Sequence, residues 1–243
     1  MGSAKMDARV TDNGWDQSAA AWLQTIGDTG DFGRVAVLDP VMSGLAAGFS
    51  GKAIDIGCGE GRFVRMLKAQ GFDACGIDPT AALIETARAR DPGGDYHIAG
   101  GEALSFEDAA FDLVTSYLAL CDIEQIDAAL TEMVRVLKPG GHVLFANLSS
   151  INTAGVWKKN LIGEAQHYAI DDYMVERPVR QRWNGIDIAN WHRPLSFYMQ
   201  RLLALGLRLH HFDEPKVQGA YAGTRPKFDR MPNFVVMLWE KPA

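Results

Sequence analysis

The stretch that decides the fold is DIGCGEG, residues Asp55–Gly61. A short apolar run, Ala53–Ile56, leads into it, and a helical pattern, Gly61–Gln70, follows it. Glycines at alternate positions let the backbone turn tightly and approach a ligand without side chains in between. The N-terminal amides of the following helix point at the same ligand. The stretch therefore predicts a strand, a glycine-rich turn and a helix that form one edge of a ligand site.

Beyond this turn, short apolar runs alternate with helical patterns. The further predicted strands are Ala74–Ile77, Tyr96–Ala99, Phe111–Ser116, His142–Ala146, Leu207–Phe212 and Phe234–Trp239. The further predicted helices are Ala81–Ala89, Ile126–Leu137 and Pro194–Leu205. Such alternation predicts parallel strands with helices on both faces, a Rossmann-like, doubly wound α/β sheet. Because the tail after Trp239 is too short for another helix, the last two strands are expected to pair antiparallel.

Two regions lie outside this alternation. We predict an N-terminal helical cap at residues 1–50 and a core formed by residues 51–146 and 194–243. Residues 147–193, after the fifth strand, are predicted to be an insertion that binds substrate. Within it, Asn184-Gly185 stands between two alternating runs, which is a strong signal for a β-hairpin.

Composition limits the functional classes. The chain has 243 residues, 47% of them hydrophobic, which suits one domain with a sizeable core. Its net charge of -6 speaks against a general nucleic-acid binder. No apolar run approaches the roughly 18 residues of a membrane span, and Met1–Asp7 has no apolar stretch of a secretory signal. The three cysteines, Cys58, Cys75 and Cys121, are an odd number and lack the spacing of metal ligands, so we expect a protein of the reducing cytoplasm. We also expect a monomer or a homodimer.

The residues themselves point to a cofactor that contains adenosine. Asp78 ends the second predicted strand, 21 residues after Gly57, a spacing that suits a carboxylate accepting hydrogen bonds from two ribose hydroxyls. A dinucleotide site would need a further glycine where Arg62 or Val64 stands, and no phosphate-binding loop is present. A tight turn without any ligand remains the structural alternative.

The motifs resemble those of class I S-adenosylmethionine-dependent methyltransferases. After Asp55–Gly61, the resemblance continues through Gly76–Asp78, Gly101–Phe106, Phe111–Val114 and Arg135–Gly141, in the family's order over roughly residues 50 to 147. Two later segments, His192–Ser196 and Phe212–Pro215, resemble small-molecule members of the group. The resemblance implies a seven-stranded sheet whose last strand is antiparallel, S-adenosylmethionine as cofactor and S-adenosylhomocysteine as product.

The resemblance also implies where the cofactor binds. The methionine part would lie near Gly57 and Gly59, the ribose at Asp78, and the adenine against Gly101, Glu102 and the segment after the fourth strand. The predicted cofactor-binding residues are Asp55, Gly57, Cys58, Gly59, Gly61, Asp78, Pro79, Gly101, Glu102, Ala103 and Tyr117. Relatives often carry an acidic residue where Gly100 stands, so this chain departs from the family at the adenine amino contact.

The methyl acceptor is less constrained. Methyl transfer from a sulfonium is an in-line displacement in which the enzyme mainly aligns the acceptor and excludes water. Enzymes that methylate exocyclic nucleobase amines carry Asn/Asp-Pro-Pro-Tyr after the fourth strand, where this chain has Ser116–Ala119. We expect a small-molecule acceptor and transfer to a hydroxyl or carboxylate oxygen. Transfer to nitrogen or carbon, a protein or RNA methyltransferase, a nicotinamide-dependent oxidoreductase and a cofactor-binding regulator without catalysis remain as alternatives.

The acceptor site is expected from the two regions outside the common core. His192, and less strongly His167, are predicted as catalytic bases, since neutral imidazole can take a proton near neutral pH. A structural alternative is that His192 supports the helix that begins at Pro194. The predicted substrate-binding residues are Trp22, Arg34, Tyr168, Tyr173, Trp191 and Arg193. Arginines in the insertion suit an anionic acceptor, although a solvated hairpin face is the alternative. We see no cluster of carboxylates for a metal.

Overall fold

The computed structural model describes residues 13–243, so the first part of the predicted cap and the Met1–Asp7 segment lie outside the described residues. The strands in this range are β1 (Lys52–Ile56), β2 (Asp73–Asp78), β3 (Asp95–Ile98), β4 (Phe111–Tyr117), β5 (Leu137–Leu148), β6 (Gly155–Lys159), β7 (Ala165–Ile170), β8 (Arg177–Trp183), β9 (Ile186–His192), β10 (Arg208–Asp213) and β11 (Phe234–Glu240). The α-helices are α1 (Trp15–Ile26), α2 (Asp39–Ala46), α3 (Arg62–Ala69), α4 (Ala81–Arg90), α5 (Ile126–Val136), α6 (Ser150–Ala154) and α7 (Leu195–Ala204). A π-helical turn, Arg34–Leu38, precedes α2, and 3-10 turns lie at Gly219–Tyr221 and Pro226–Asp229.

Seven strands form the main sheet, in the order β10-β11-β5-β4-β1-β2-β3. The strands from β1 to β5 pair in parallel, and β11 is antiparallel to both of its neighbours, β5 and β10. The predicted seven-stranded sheet with an antiparallel last strand is therefore confirmed. The strand order changes direction between β1 and β4, and in open α/β sheets ligands bind outside the carboxyl ends of the strands at such a point.

The core occupies both faces of this sheet, because successive strand residues point to opposite sides. Ala53 and Leu113 belong to one buried cluster with side chains from α2, α3 and α4. Their neighbours Ile54 and Val114 belong to the other, with side chains from α5 and α7. The prediction of helices on both faces is confirmed, and it leaves the strand ends as the open edge.

The fifth strand begins earlier than the sequence predicted. Lys138–Gly141, expected to separate helix and strand, forms the first part of β5, and α5 ends at Val136. The pairing of β4 with β5 jumps from Phe111 opposite Leu137 to Leu113 opposite His142. A bulge of this kind accommodates extra residues without ending the strand. The proline and glycines therefore mark an irregular strand start rather than a separate loop.

The insertion contains two hairpins, of which one was predicted. Asn184 and Gly185 join β8 to β9 with positive φ values of 47° and 81°, as a two-residue hairpin turn requires. The other hairpin, β6–β7, has no alternating apolar face, and most of its residues are exposed or half-buried. The sequence therefore lacks the signal that would have revealed it.

The N-terminal helix joins the insertion to the sheet. Trp22 and Ile26 of α1 pack with Leu83 of α4 and with Ile186 and Ile188 of β9 in a third buried cluster. This arrangement places α1 between α4 and the strand β9 of the insertion. No helix within residues 13–243 has the length and apolar character needed to cross a membrane.

Candidate active site

A cavity of about 920 Å³, including its open mouth, lies at the carboxyl ends of β1, β2 and β4. The predicted site residues that line it are Trp22, Arg34, Asp55, Gly57, Cys58, Gly59, Asp78, Pro79, Gly101, Glu102 and Tyr117. The structure thus brings together most of the predicted cofactor-binding residues and two of the predicted substrate-binding residues.

The glycine-rich turn leaves room for a ligand at its centre. Gly57 has a φ of 74°, and a Cβ atom there would collide with the Ala119 Cβ. Gly59 has a φ of 55°, and no atom lies within 4 Å of the place that a Cβ would occupy, because this residue faces the open cavity. The N–H groups of Gly57 and Cys58 both donate to the Ile77 carbonyl, at 2.9 and 2.8 Å, and tie the turn to β2. Glycine at position 57 therefore permits close packing against Ala119, and glycine at position 59 keeps the cavity open.

Asp78 holds the turn from the end of β2. Its Oδ2 accepts a hydrogen bond from the Gly59 N–H at 3.0 Å, and its Oδ1 accepts one from the Thr80 N–H at 2.8 Å. Burial raises the pKa of this carboxyl above its usual range. The Thr80 hydroxyl also donates to this carboxyl, and the acceptor capacity that these three donors leave can serve hydroxyl groups of a ligand.

Asp55 lies beneath the turn and is only 1% exposed. The Thr115 hydroxyl of β4 donates a hydrogen bond to its Oδ1 at 2.8 Å. Burial is the largest influence and raises the pKa of Asp55 to about 7. Asp55 is therefore a carboxyl whose charge changes near neutral pH.

The opposite wall is aromatic and cationic. The Arg34 guanidinium lies over the rings of Trp22, at 4.8 Å, and Tyr117, at 5.6 Å, and it forms an ion pair with Asp31 at 2.7 Å. The Tyr117 hydroxyl donates to Asp39 Oδ1 at 2.8 Å. Arg62 donates to both oxygens of Asp39. This network fixes the end of β4 against the N-terminal region.

A further carboxyl, that of Asp122, lines the cavity after β4. Asn190 of β9 donates a hydrogen bond from Nδ2 to Asp122 Oδ1 at 2.5 Å, and the Trp15 side chain donates another to this carboxyl. Burial raises the pKa of Asp122 to about 7, and these two donors oppose the rise. Asp122 is thus a fixed carboxyl on the cavity surface that titrates near neutrality.

The two predicted catalytic histidines do not reach the cavity. His192 is fully buried, with Nε2 at 2.9 Å from the Tyr173 carbonyl oxygen and Nδ1 at 2.7 Å from the Thr153 hydroxyl. A carbonyl only accepts, so Nε2 is the donor and Nδ1 accepts from Thr153. Burial also lowers the pKa of His192. His167 lies on β7, where its side chain is exposed to solvent. The structure places neither imidazole where it could contact a ligand of the cavity.

The remaining predicted residues outside the cavity hold the insertion or the turn. Arg193 is 1% exposed, pairs with Glu176 at 2.7 Å, and donates to the carbonyls of Ile123 and Glu124 at 2.9 Å. Its guanidinium also lies over the Trp191 ring. The hydroxyls of Tyr168 and Tyr173 bond to backbone atoms of the insertion and of α7. Gly61 packs against the Tyr96 ring, and Ala103 is exposed outside the cavity.

Several cavity residues were not predicted from the sequence. They are Asn13, Trp15, Ile56, Glu60, Arg62, Phe63, Thr80, Leu83, Gly100, Leu118, Ala119, Asp122 and Ile123. Some adjoin the glycine-rich turn, and others follow β4 directly. The rule that ligands lie outside the carboxyl ends of parallel strands could have found the second group. For Asn13 and Trp15, which reach the cavity from the N-terminal side, the sequence carries no local signal. Within residues 13–243, no group of three or more His, Cys, Asp or Glu side chains could hold a metal ion.

Comparison with known proteins agrees with this geometry. Residues 54–145 match the methyltransferase domain family. A malonyl-[acyl-carrier protein] O-methyltransferase from Erwinia billingiae (strain Eb661) is 40% identical over 99 residues, which are 41% of this chain and 39% of that protein. One from Yersinia pestis is 32% identical over 179 residues, which are 68% of this chain and 65% of that protein. The chain therefore spans less than two thirds of the length of these relatives.

A solved structure is also similar over most of the chain. It is that of an S-adenosylmethionine-dependent methyltransferase from Mesorhizobium loti, with a TM-score of 0.73 and 27% sequence identity. The similarity covers 82% of this chain and 95% of that one. It therefore includes strands and helices beyond the family match at residues 54–145.

Proposed function

We propose that this protein, in which residues 54–145 form a class I S-adenosylmethionine-dependent methyltransferase domain, transfers a methyl group to an oxygen of a small-molecule acceptor. The observation that carries the proposal is the cavity itself, since it joins the glycine-rich turn and Asp78 to a wall built outside the common core. When bound, the cofactor supplies an activated methyl group on a sulfonium.

The described residues fit this cofactor. The open space at Gly59 accommodates its methionine part, since no protein atom lies within 4 Å of a Cβ position there. Asp78 accepts the ribose hydroxyls with the lone pairs that Gly59 and Thr80 leave unused. Gly101 and Glu102 form the adenine side, where the Glu102 carboxylate folds over Gly100. This assignment uses the predicted residues Asp55, Cys58, Pro79 and Tyr117 as further walls and leaves out Gly61 and Ala103.

The acceptor binds against the aromatic and cationic wall. Trp22 and Arg34 line the cavity, so we keep them as substrate-binding residues. Arg34 retains donors beyond its pair with Asp31 and can hold an anionic or carbonyl group of the acceptor. We assign His192, Tyr168, Tyr173, Trp191 and Arg193 to holding the insertion, because their contacts are with the insertion itself, with α7 and with the segment after β4.

Oxygen is the favoured target because the relatives from Erwinia billingiae and Yersinia pestis are O-methyltransferases. Their acceptor, malonyl-[acyl-carrier protein], is the first compound to test here. Alignment of the acceptor and exclusion of water account for most of the rate that such a site supplies.

The test is a methylation assay with S-adenosylmethionine labelled in its methyl group. The acceptors are malonyl-[acyl-carrier protein] and a panel of small hydroxy and carboxy compounds. We expect label in at least one organic product, bound through oxygen. Calorimetry on the same protein should detect binding of S-adenosylhomocysteine and no binding of NAD. Protein that binds NAD and not S-adenosylhomocysteine would contradict the proposal.

A further inference from the structure

We propose that Asp122 is the proton acceptor of the acceptor site, and that the site therefore takes a neutral hydroxyl group rather than an ionised carboxylate. This inference rests on the proposed function and narrows its acceptor class. No predicted catalytic residue occupies this place, since the two histidines lie elsewhere.

The position of Asp122 follows from its neighbours in the segment after β4. Ala119 lies directly against Gly57, where the methionine part of the cofactor is assigned. The Asp122 N–H donates to the Ala119 carbonyl at 2.9 Å, so one turn of chain separates the two residues. The next residue, Ile123, approaches Gly101 on the adenine side. Asp122 thus lines the cavity between the two ends of the cofactor site.

The hairpin β8–β9 holds this segment in place. Asn190 donates to Asp122, and the backbone N–H of Trp191 donates to the Cys121 carbonyl at 2.5 Å. Arg193 donates to the carbonyls of the two residues that follow Asp122. A catalytic group needs such support, because a small displacement reduces the rate strongly. The insertion would then act through Asn190 rather than through His192.

The charges around Asp122 suit a proton acceptor. Burial and the Asp78 carboxylate raise its pKa, the two hydrogen-bond donors and Arg34 lower it, and the resulting pKa is about 7. The adjacent Cys121 is a buried thiol whose pKa lies well above its usual value, so it adds no charge. A base with a pKa near the working pH is the most efficient. An ionised acceptor carboxylate at the same place would be repelled by Asp122 and would need no base.

The acceptor hydroxyl, the cofactor and Asp122 supply every group that the methyl transfer needs. The hydroxyl oxygen of the acceptor forms a bond to the methyl carbon, and the carbon–sulfur bond breaks with its electron pair left on sulfur. The hydroxyl proton passes to a carboxylate oxygen of Asp122 and from there to solvent. No oxidant, reductant or metal is needed.

A binding experiment locates Asp122 without a known acceptor. S-adenosylhomocysteine is neutral at sulfur, whereas sinefungin carries an amine where the cofactor has its methyl group. Calorimetry at pH 8 gives the affinity of each ligand for the wild type, for Asp122→Asn and for Glu102→Gln. The last variant loses a carboxylate from the adenine side of the same cavity. We expect Asp122→Asn to reduce the preference for sinefungin by about tenfold or more, the effect of a hydrogen bond to a charged group. S-adenosylhomocysteine affinity should stay within about twofold, and Glu102→Gln should keep the wild-type preference.

Two outcomes would overturn the inference. If Asp122→Asn weakens both ligands equally, Asp122 contacts their shared adenosine part. If it changes neither, Asp122 does not face the methyl position. Lower pH should reduce the wild-type preference as Asp122 becomes protonated, and the variant should lack this dependence.

The methylation panel separates this inference from the proposed function. A hydroxyl acceptor should be methylated by the wild type, and Asp122→Asn should reduce the rate on the order of 10²–10⁴-fold with the alkaline pH preference lost. If only carboxylate acceptors are methylated, the proposed function stands and the inference fails. If neither S-adenosylhomocysteine nor sinefungin binds the wild type, both fail.

Discussion

The two sides of the cavity are held by different kinds of contact. On the cofactor side, Asp55–Gly61 and Asp78 lie within one strand–helix–strand unit, and backbone amides make the contacts. On the acceptor side, Trp15, Asp122 and Asn190 come from three separate parts of the chain, and their side chains make the contacts. The wall that contacts its ligand through backbone amides depends on the local chain geometry and tolerates few substitutions. The wall that contacts its ligand through side chains can change the chemistry of those side chains without a change of fold. The cofactor should therefore be general to the fold and the acceptor particular to this chain.

This difference predicts that substitutions will divide into two groups. Changes in the turn or at Asp78 should weaken or abolish cofactor binding and leave the fold intact. Changes in the insertion should alter stability or the acceptor and leave the cofactor in place. A residue that violates this division would show that the two sides are coupled.

The largest effect is expected for Gly59→Val, which should abolish detectable binding of S-adenosylhomocysteine. The side chain would fill the open space of the cavity and would also strain a residue with a φ of 55°. Gly206→Val is the matched control, since Gly206 has a φ of 80° and equally open surroundings at the end of α7. Calorimetry should find normal affinity for the control. Equal loss in both variants would mean that backbone strain, not the cavity, explains the result.

Asp78→Ala should weaken S-adenosylhomocysteine binding by about 1.5–3 kcal/mol, the range for hydrogen bonds to a charged group. The loss combines the ribose contacts with a looser turn, because Gly59 and Thr80 lose their acceptor. Asp73→Ala removes an exposed carboxylate from the other end of β2 and serves as control. An affinity of Asp78→Ala within twofold of the wild type would contradict the ribose assignment.

The pH dependence of stability should change in Asp55→Asn. The pKa of Asp55 is raised to about 7 in the folded protein, above its value in the unfolded chain. The folded state therefore binds more protons between these two values, so the stability that this carboxyl contributes is present at low pH, is lost as the pH rises toward 7, and falls no further above the folded pKa. It contributes a slope of about 1.4 kcal/mol per pH unit in that window.

Urea unfolding of both proteins at pH 5 and pH 8 measures this effect. Asn keeps an acceptor for the Thr115 hydroxyl, so this hydrogen bond is retained in the variant. Asn carries no charge at either pH, so the free energy of unfolding of the variant minus that of the wild type should be larger at pH 8 than at pH 5. Groups whose surroundings are the same in both proteins cancel in the difference. A difference that is independent of pH would mean that Asp55 stays ionised in the folded protein.

The smallest effect is expected from the histidines. His192→Ala removes the imidazole that donates to the Tyr173 carbonyl and leaves the Thr153 hydroxyl only its longer contacts with the Ser149 and Ser150 carbonyls, so the free energy of unfolding should fall by about 1–3 kcal/mol. S-adenosylhomocysteine affinity should not change. His167→Ala, on an exposed strand, should stay within about 0.5 kcal/mol of the wild type. If His192→Ala lost methyl transfer and kept the stability of the wild type, His192 would have a role in the active site.

The cofactor side could be predicted from the sequence because its signals are local. A strand, three glycines and an acidic residue at a fixed distance lie in one short segment, so spacing alone carries the geometry. The fold class is confirmed, residues 54–145 match the methyltransferase domain family, and a similar solved structure is that of an S-adenosylmethionine-dependent methyltransferase. Within this side, Gly61 packs against the Tyr96 ring and Ala103 is exposed, so neither residue lines the cavity.

The acceptor side could not be predicted in the same way. His192 and Asn190 are two residues apart on one strand, and only the packing of β9 on the segment after β4 brings Asn190 to Asp122. Sequence chemistry favoured the imidazole, whereas the structure uses both of its nitrogens internally. The hairpin turn at Asn184 was visible because turn residues signal locally, but the contacts it positions are long-range.

The central claim, that one cavity holds the cofactor beside a separately built acceptor wall, is tested most directly by a crystal structure with S-adenosylhomocysteine. We predict the ribose hydroxyls on Asp78, the methionine part along Gly57 and Gly59, and the sulfur facing Asp122 and Trp22. A ligand whose sulfur faces away from these two side chains, or a ligand bound outside this cavity, would contradict the account.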